Sequence, residues 1–103
     1  MSFNNVTNPA PSEYTQISGA TTVTIGPTVA TYEGFAVVTA GTAITIYDNS
    51  AASGTLLVNA APTTTLGYQA FCPTDGLQSK SGFLTVVTTG VGVVNVFYAR
   101  QIP

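Results

Sequence analysis

The chain has no histidine, no tryptophan and a single cysteine, Cys72, among its 103 residues. Without histidine there is no Ser-His-Asp or Cys-His relay, no histidine proton shuttle and no mixed zinc set. One cysteine cannot close an intrachain disulfide, and the place of Cys72 on an apolar alternation reads as an inert core position. Charge is just as scarce. Glu13, Glu33, Asp48, Asp75, Lys80 and Arg100 make up 6% of the chain, against about 25% in an average soluble domain. Two cations and a net charge of −2 leave no basic cluster for a phosphate backbone, so nucleic acid is not an expected partner. No apolar run approaches the ~20 residues of a membrane-spanning helix. The start of the chain has neither the basic opening nor the apolar stretch of a secretion signal. The expectation is a protein synthesised in the cytoplasm that does not associate with membranes.

The remaining routes to chemistry are few. Glu33, Asp48 and Asp75 are the carboxylates outside the N-terminal segment, and acid-base work by a pair of them requires that they meet. Asp48 precedes Asn49-Ser50 and Asp75 precedes Gly76, contexts in which a carboxylate closes an Asx turn. Glu33 reads as a solvated strand residue. Gly90-Val91-Gly92 lacks the following helix, the lysine and the hydroxyl residue of a phosphate loop. No catalytic residue, cofactor or metal site is expected, and the protein reads as a non-enzyme.

What the sequence does contain is β-structure. Phe83 to Tyr98 holds two β-branched and aromatic runs around Gly90-Val91-Gly92, which predicts a hairpin with both glycines at positive φ. Period-two alternation places Leu84, Val86, Val94, Val96 and Tyr98 in one core, and Thr85, Asn95 and Phe97 away from it. Further strands are predicted over Thr21 to Ile25, Ala30 to Thr39 with Gly34 as a bulge, Ala43 to Asp48, and Thr55 to Ala60. Another is predicted over Leu66 to Cys72, with Leu66, Tyr68, Ala70 and Cys72 on one face. Gly26-Pro27, Ala40-Gly41-Thr42, Asn49 to Gly54 and Pro73 to Gly76 punctuate them. Seven strands result, eight if Tyr14 to Ser18 pairs, with no amphipathic helix. Short strands at this spacing predict an all-β, antiparallel β-sandwich, jelly-roll-like or Ig-like.

Two regions follow from the pattern: an extended N-terminal arm over residues 1–16 and a single β-sandwich domain over 17–103. The arm carries Pro9 and Pro11, and its apolar handles Phe3, Val6 and Tyr14 are candidates for binding a partner. Tyr47, opposite Ile46 in its strand, is a fourth candidate as an exposed aromatic. The scarcity of charge leaves a surface of Thr, Ser, Ala, Gly and Asn, which suits a protein held against a partner or another copy of itself.

The order Gly34-Phe35 to Val38, Ala40-Gly41-Thr42, Ile44 to Asp48, Ala52-Ser53-Gly54-Thr55, Gly82 to Gly90 and Val94 to Tyr98 resembles small virion proteins of tailed bacteriophages. That resemblance spans about Thr31 to Arg100 and departs from the family pattern at Gln78 to Ser81. It implies a head decoration (cement) protein on the outer capsid surface of a virion. Such a protein would bind major capsid subunits and act as a homotrimer. The alternative is a phage fibre or adhesin domain that recognises a cell-surface glycan.

Overall fold

Alternation of threonine with valine and isoleucine favours a pleated, half-buried backbone, and it forms strands over most of the described residues. The computed structural model describes residues 12–69 and 77–101. Nine strands occur among them: β1 (Glu13–Ser18), β2 (Thr21–Ile25), β3 (Val29–Thr39), β4 (Ala43–Tyr47), β5 (Leu56–Pro62), β6 (Gly67–Gln69), β7 (Leu77–Gln78), β8 (Leu84–Thr89) and β9 (Val93–Arg100). No helix is present among the described residues. The strands form a five-stranded sheet in the order β1-β9-β3-β6, with β7 also paired to β3, and a four-stranded sheet in the order β2-β8-β4-β5. All pairs are antiparallel.

The pairing is nested. β1 meets β9, β2 meets β8, β3 meets β6 and β4 meets β5. A long antiparallel ribbon wrapped on itself gives this order, which is that of a jelly roll rather than an Ig-like sandwich. It changes the reading of the Phe83 to Tyr98 stretch. β8 and β9 do not pair: β8 lies between β2 and β4 in one sheet, and β9 between β1 and β3 in the other. Gly90-Val91-Gly92 is therefore an arch that carries the chain across the core, not a hairpin turn. Only Gly90 has positive φ, at 81°. Gly92 is required for closeness instead, because a Cβ there would lie 2.7 Å from the Thr39 carbonyl oxygen and 2.8 Å from Gly41 Cα.

The alternation itself holds across the arch. Leu84, Val86, Val94, Val96 and Tyr98 are all buried, but they meet from opposite sheets. Ile17, Ile25, Val29, Tyr32, Phe35, Val37, Ile44, Ile46 and Val58 complete the core. Each large apolar side chain removed from water there contributes about 1.5–3 kcal/mol. Gly34 sits at the expected bulge, where the β3–β9 register shifts between Tyr32 and Gly34.

Three further expectations are corrected. Residues 13–16, assigned to the arm, belong to β1, whose Ile17 is buried and whose register with β9 runs unbroken from Glu13 to Ser18. Thr85 does not face solvent: it is 0% exposed, roofed by the loop after β4, and donates to the Asn49 carbonyl at 2.9 Å. Leu66 lies before β6 and is 62% exposed, so it is not a core residue. Phe3, Val6, Ala70, Cys72 and Asp75 lie outside the described residues.

Candidate functional site

With Ile17, Val94, Val96, Phe35 and Val37 turned inward, their neighbours along β1, β9 and β3 make up the outer face of the five-stranded sheet. Register sets those neighbours in rows. Tyr14 lies opposite Phe97, which lies opposite Gly34; Gln16 lies opposite Asn95, which lies opposite Ala36; Ser18 lies opposite Val93, beside exposed Val38. The Tyr14 and Phe97 rings are 6.5 Å apart between centroids and tilted by 55°. This edge-inclined contact suits the ring quadrupoles. Tyr14 is 63% exposed. Because Gly34 and Ala36 are small, the aromatic pair stands above a low floor. Asn95 Oδ1 is buried there without a hydrogen-bond partner. The charged margin of the face is Glu33, next to Gly34 in the bulge, whose carboxylate accepts from the Ser12 hydroxyl.

The face runs without interruption into one end of the sandwich. Four connections meet there: Gly19-Ala20, Ala40-Gly41-Thr42, Thr63 to Leu66 and Gly90-Val91-Gly92. Backbone hydrogen bonds lock them, from Gly19 N to Gly92 O (2.8 Å), Gly41 N to Thr63 O (2.9 Å), Thr42 N to Thr89 O (3.1 Å) and Thr63 N to Thr42 O (3.1 Å). The cleft between them is lined by Ile17, Thr39, Thr63, Thr88 and the glycines. At about 10 Å³, it has room for one water. Val91 projects from this end, 85% exposed. None of the charged residues described (Glu13, Glu33, Asp48, Lys80, Arg100) lies on these four connections. The outer face and this end together form a charge-poor surface running from Tyr14 to Val91.

The charges gather elsewhere. Arg100 on β9 pairs with Glu13 on β1, Nε to Oε2 at 3.1 Å, and its guanidinium lies 5.6 Å from the centre of the Tyr98 ring. Asp48 does not close the Asx turn expected of it. Asn49 braces that loop, its Oδ1 accepting from Ser50 N at 2.8 Å and its Nδ2 donating to Ser53 O at 2.9 Å. Asp48 instead holds the segment before β8. Its carboxylate accepts from the Ser79 hydroxyl (2.9 Å), Lys80 N (2.9 Å), and the amide (3.2 Å) and hydroxyl (2.7 Å) of Ser81. Partial burial alone would push this carboxyl up, but the donors outweigh it and hold Asp48 below its ordinary value.

Of the four candidates from the sequence, Phe3 and Val6 lie outside the described residues, and Tyr14 and Tyr47 lie on different sheets. Tyr14 is at the aromatic end of the outer face. Tyr47 is half-buried on the other sheet, opposite Thr85 and Leu56. Phe97, Asn95, Gln16, Val38 and Val91 were not singled out as binding residues, although the alternation that turns Asn95 and Phe97 outward carried the signal. Glu33 and Asp48 have separate partners, and among the described residues no three of His, Cys, Asp and Glu come together to hold a metal. No family model, curated protein or solved structure matches this chain.

Proposed function

We propose that this chain is a structural virion protein, a decoration protein that binds the outer surface of a phage head and bridges neighbouring major capsid subunits. The observation that carries the reading is the charge-poor surface from Tyr14 to Val91. It has an exposed ring at one end and an exposed valine at the other, and little polar desolvation opposes its burial against a protein partner. The jelly roll is a fold of viral capsid and lectin domains, and it supports the reading only as analogy. The residue-order resemblance supplies the phage assignment. Aromatic anchors within neutral surroundings are what protein interfaces use for affinity.

A second reading rests on the same face. An exposed Tyr14 ring beside the Gln16 and Asn95 amides is also the chemistry of a glycan-binding platform. Sedimentation of the purified protein with undecorated phage heads separates the two. Co-sedimentation that saturates supports the decoration reading. Failure to sediment, together with specific signal on a glycan array, replaces it with the adhesin reading.

A further inference from the structure

An open sheet edge is a row of unpaired backbone donors and acceptors, and proteins blunt such edges with charge, proline, bulges or shortness. Most edges here are blunted. β6 and β7 are three and two residues long. β5 shifts register twice against β4, holds Ala60 at φ 49° and ends at Pro62. β1 opens on the charged Glu13, held by Arg100.

β2 has none of these devices. Among the described residues it is the terminal strand of the four-stranded sheet, and β1, joined to it by Gly19-Ala20, belongs to the other sheet. Thr21-Thr22-Val23-Thr24-Ile25 pairs with β8 in unbroken register and contains no charge, proline or glycine. Its outward Thr24 is fixed by a 3.0 Å hydroxyl contact with Thr85. Val23, half-buried, packs on the core from the open margin.

We propose that the β2 edge is the contact between two copies of this chain, antiparallel about a two-fold axis at Val23. The strand is complementary to itself in that register: Thr22 faces Thr24 of the second copy, Thr21 faces Ile25, and Val23 faces its counterpart. An axis normal to the sheet keeps Val23 and Ile25 on the core side in both copies, so the four-stranded sheets merge into one and no side chain changes face. Threonine pairs across such a rung are favourable, and no like charges oppose each other. A five-residue strand buries less than a standard interface, which makes the pair a weak, concentration-dependent one. A two-fold pair differs from the three-copy assembly implied by the phage resemblance, and it does not depend on the capsid reading.

The register supplies the test. Thr22→Lys with Thr24→Lys sets like charges opposite each other twice across the axis, whereas Thr22→Lys with Thr24→Glu sets opposite charges there. The full-length protein should sediment at twice its chain mass at about 100 micromolar. The two-lysine variant should dissociate at roughly tenfold higher concentration, and the lysine-glutamate variant should recover pairing. Circular dichroism and thermal melting check that both variants fold. A wild-type mass of one or three chains overturns the proposal. So does equal weakening in two folded variants, which would assign the edge to a different register or to a strand from another protein.

Discussion

The carboxylate of Asp48 accepts from both the hydroxyl and the amide of Ser81, at 2.7 and 3.2 Å, across 33 positions of sequence. Ser79 and Lys80 complete the same shell. One side chain thus ties the end of β4 to the segment that delivers β8 into the centre of its sheet. The tie is closed by backbone geometry as well: Gly82 O accepts from Val29 N at 3.0 Å, and a Cβ on Gly82 would stand 2.3 Å from the Pro27 carbonyl oxygen.

Replacing Asp48 with Asn should therefore destabilise the fold by about 1–3 kcal/mol, toward the lower end because the group is partly solvated. Its pH dependence has a definite sign. The folded state holds the carboxyl below the ordinary value of 3.8, so its contribution is complete above the unfolded pKa and is lost as pH falls through the folded one. Thermal melts of wild type and Asp48→Asn should differ at pH 7 and converge as pH drops below about 4. A gap that is constant with pH would show that the carboxylate charge is not what holds the segment.

Thr85 supplies a second contrast. Leu84→Ala should cost about 2–5 kcal/mol through lost burial and a cavity. Thr85→Val keeps the shape but leaves the Asn49 carbonyl and the Thr24 hydroxyl without their partner. It should cost about 1–3 kcal/mol, rather than the near-zero change of an outward-facing strand residue. Denaturant melts of both variants check this.

These two neighbours mark what the sequence could and could not convey. Period-two alternation fixes which side of its own sheet a residue faces, so Leu84 and Val96 were legible as core and Phe97 as outward. It does not say which strands share a sheet, because β8 and β9 would alternate identically as a hairpin or as the two sides of an arch. Nor does it reveal what covers an outer face. Thr85 is buried by a loop 36 positions away, and Asp48 is engaged by a segment 31 to 33 positions away. The surface from Tyr14 to Val91 was half legible: Tyr14 was named for its exposed ring, while Val91 was read only as part of a turn.

Glycine substitutions should rank by contact rather than by conformation alone. Gly19 and Gly92 flank the same end of the sandwich, joined by the 2.8 Å bond from Gly19 N to Gly92 O. Gly19 has φ 76° with nothing within 4 Å of a built Cβ, so alanine there should cost about 1 kcal/mol from backbone strain. At Gly92 the added Cβ meets backbone of Thr39 and Gly41 at 2.7–2.9 Å. Gly92→Ala must spread two arches and should cost more than Gly19→Ala, on the order of 2–3 kcal/mol. Melting temperatures in the reverse order would show that the arches adjust freely.

The proposed docking surface can be tested without disturbing the fold, because its two extremes are exposed side chains. Tyr14 is 63% exposed with its ring 6.5 Å from that of Phe97, and Val91 is 85% exposed at the tip of an arch. Tyr14→Ser and Val91→Asp should each change stability by less than about 1 kcal/mol. Against capsid, each should weaken binding by roughly tenfold or more: the first removes an aromatic anchor, and the second places an unpaired charge in a contact that excludes water. Leu56→Ser, on the four-stranded sheet and so away from this surface, should leave capsid binding unchanged. The measurement is the fraction of protein that sediments with undecorated heads across a concentration series. If Leu56→Ser weakens sedimentation while Tyr14→Ser and Val91→Asp leave it intact, the docking surface belongs to the opposite sheet.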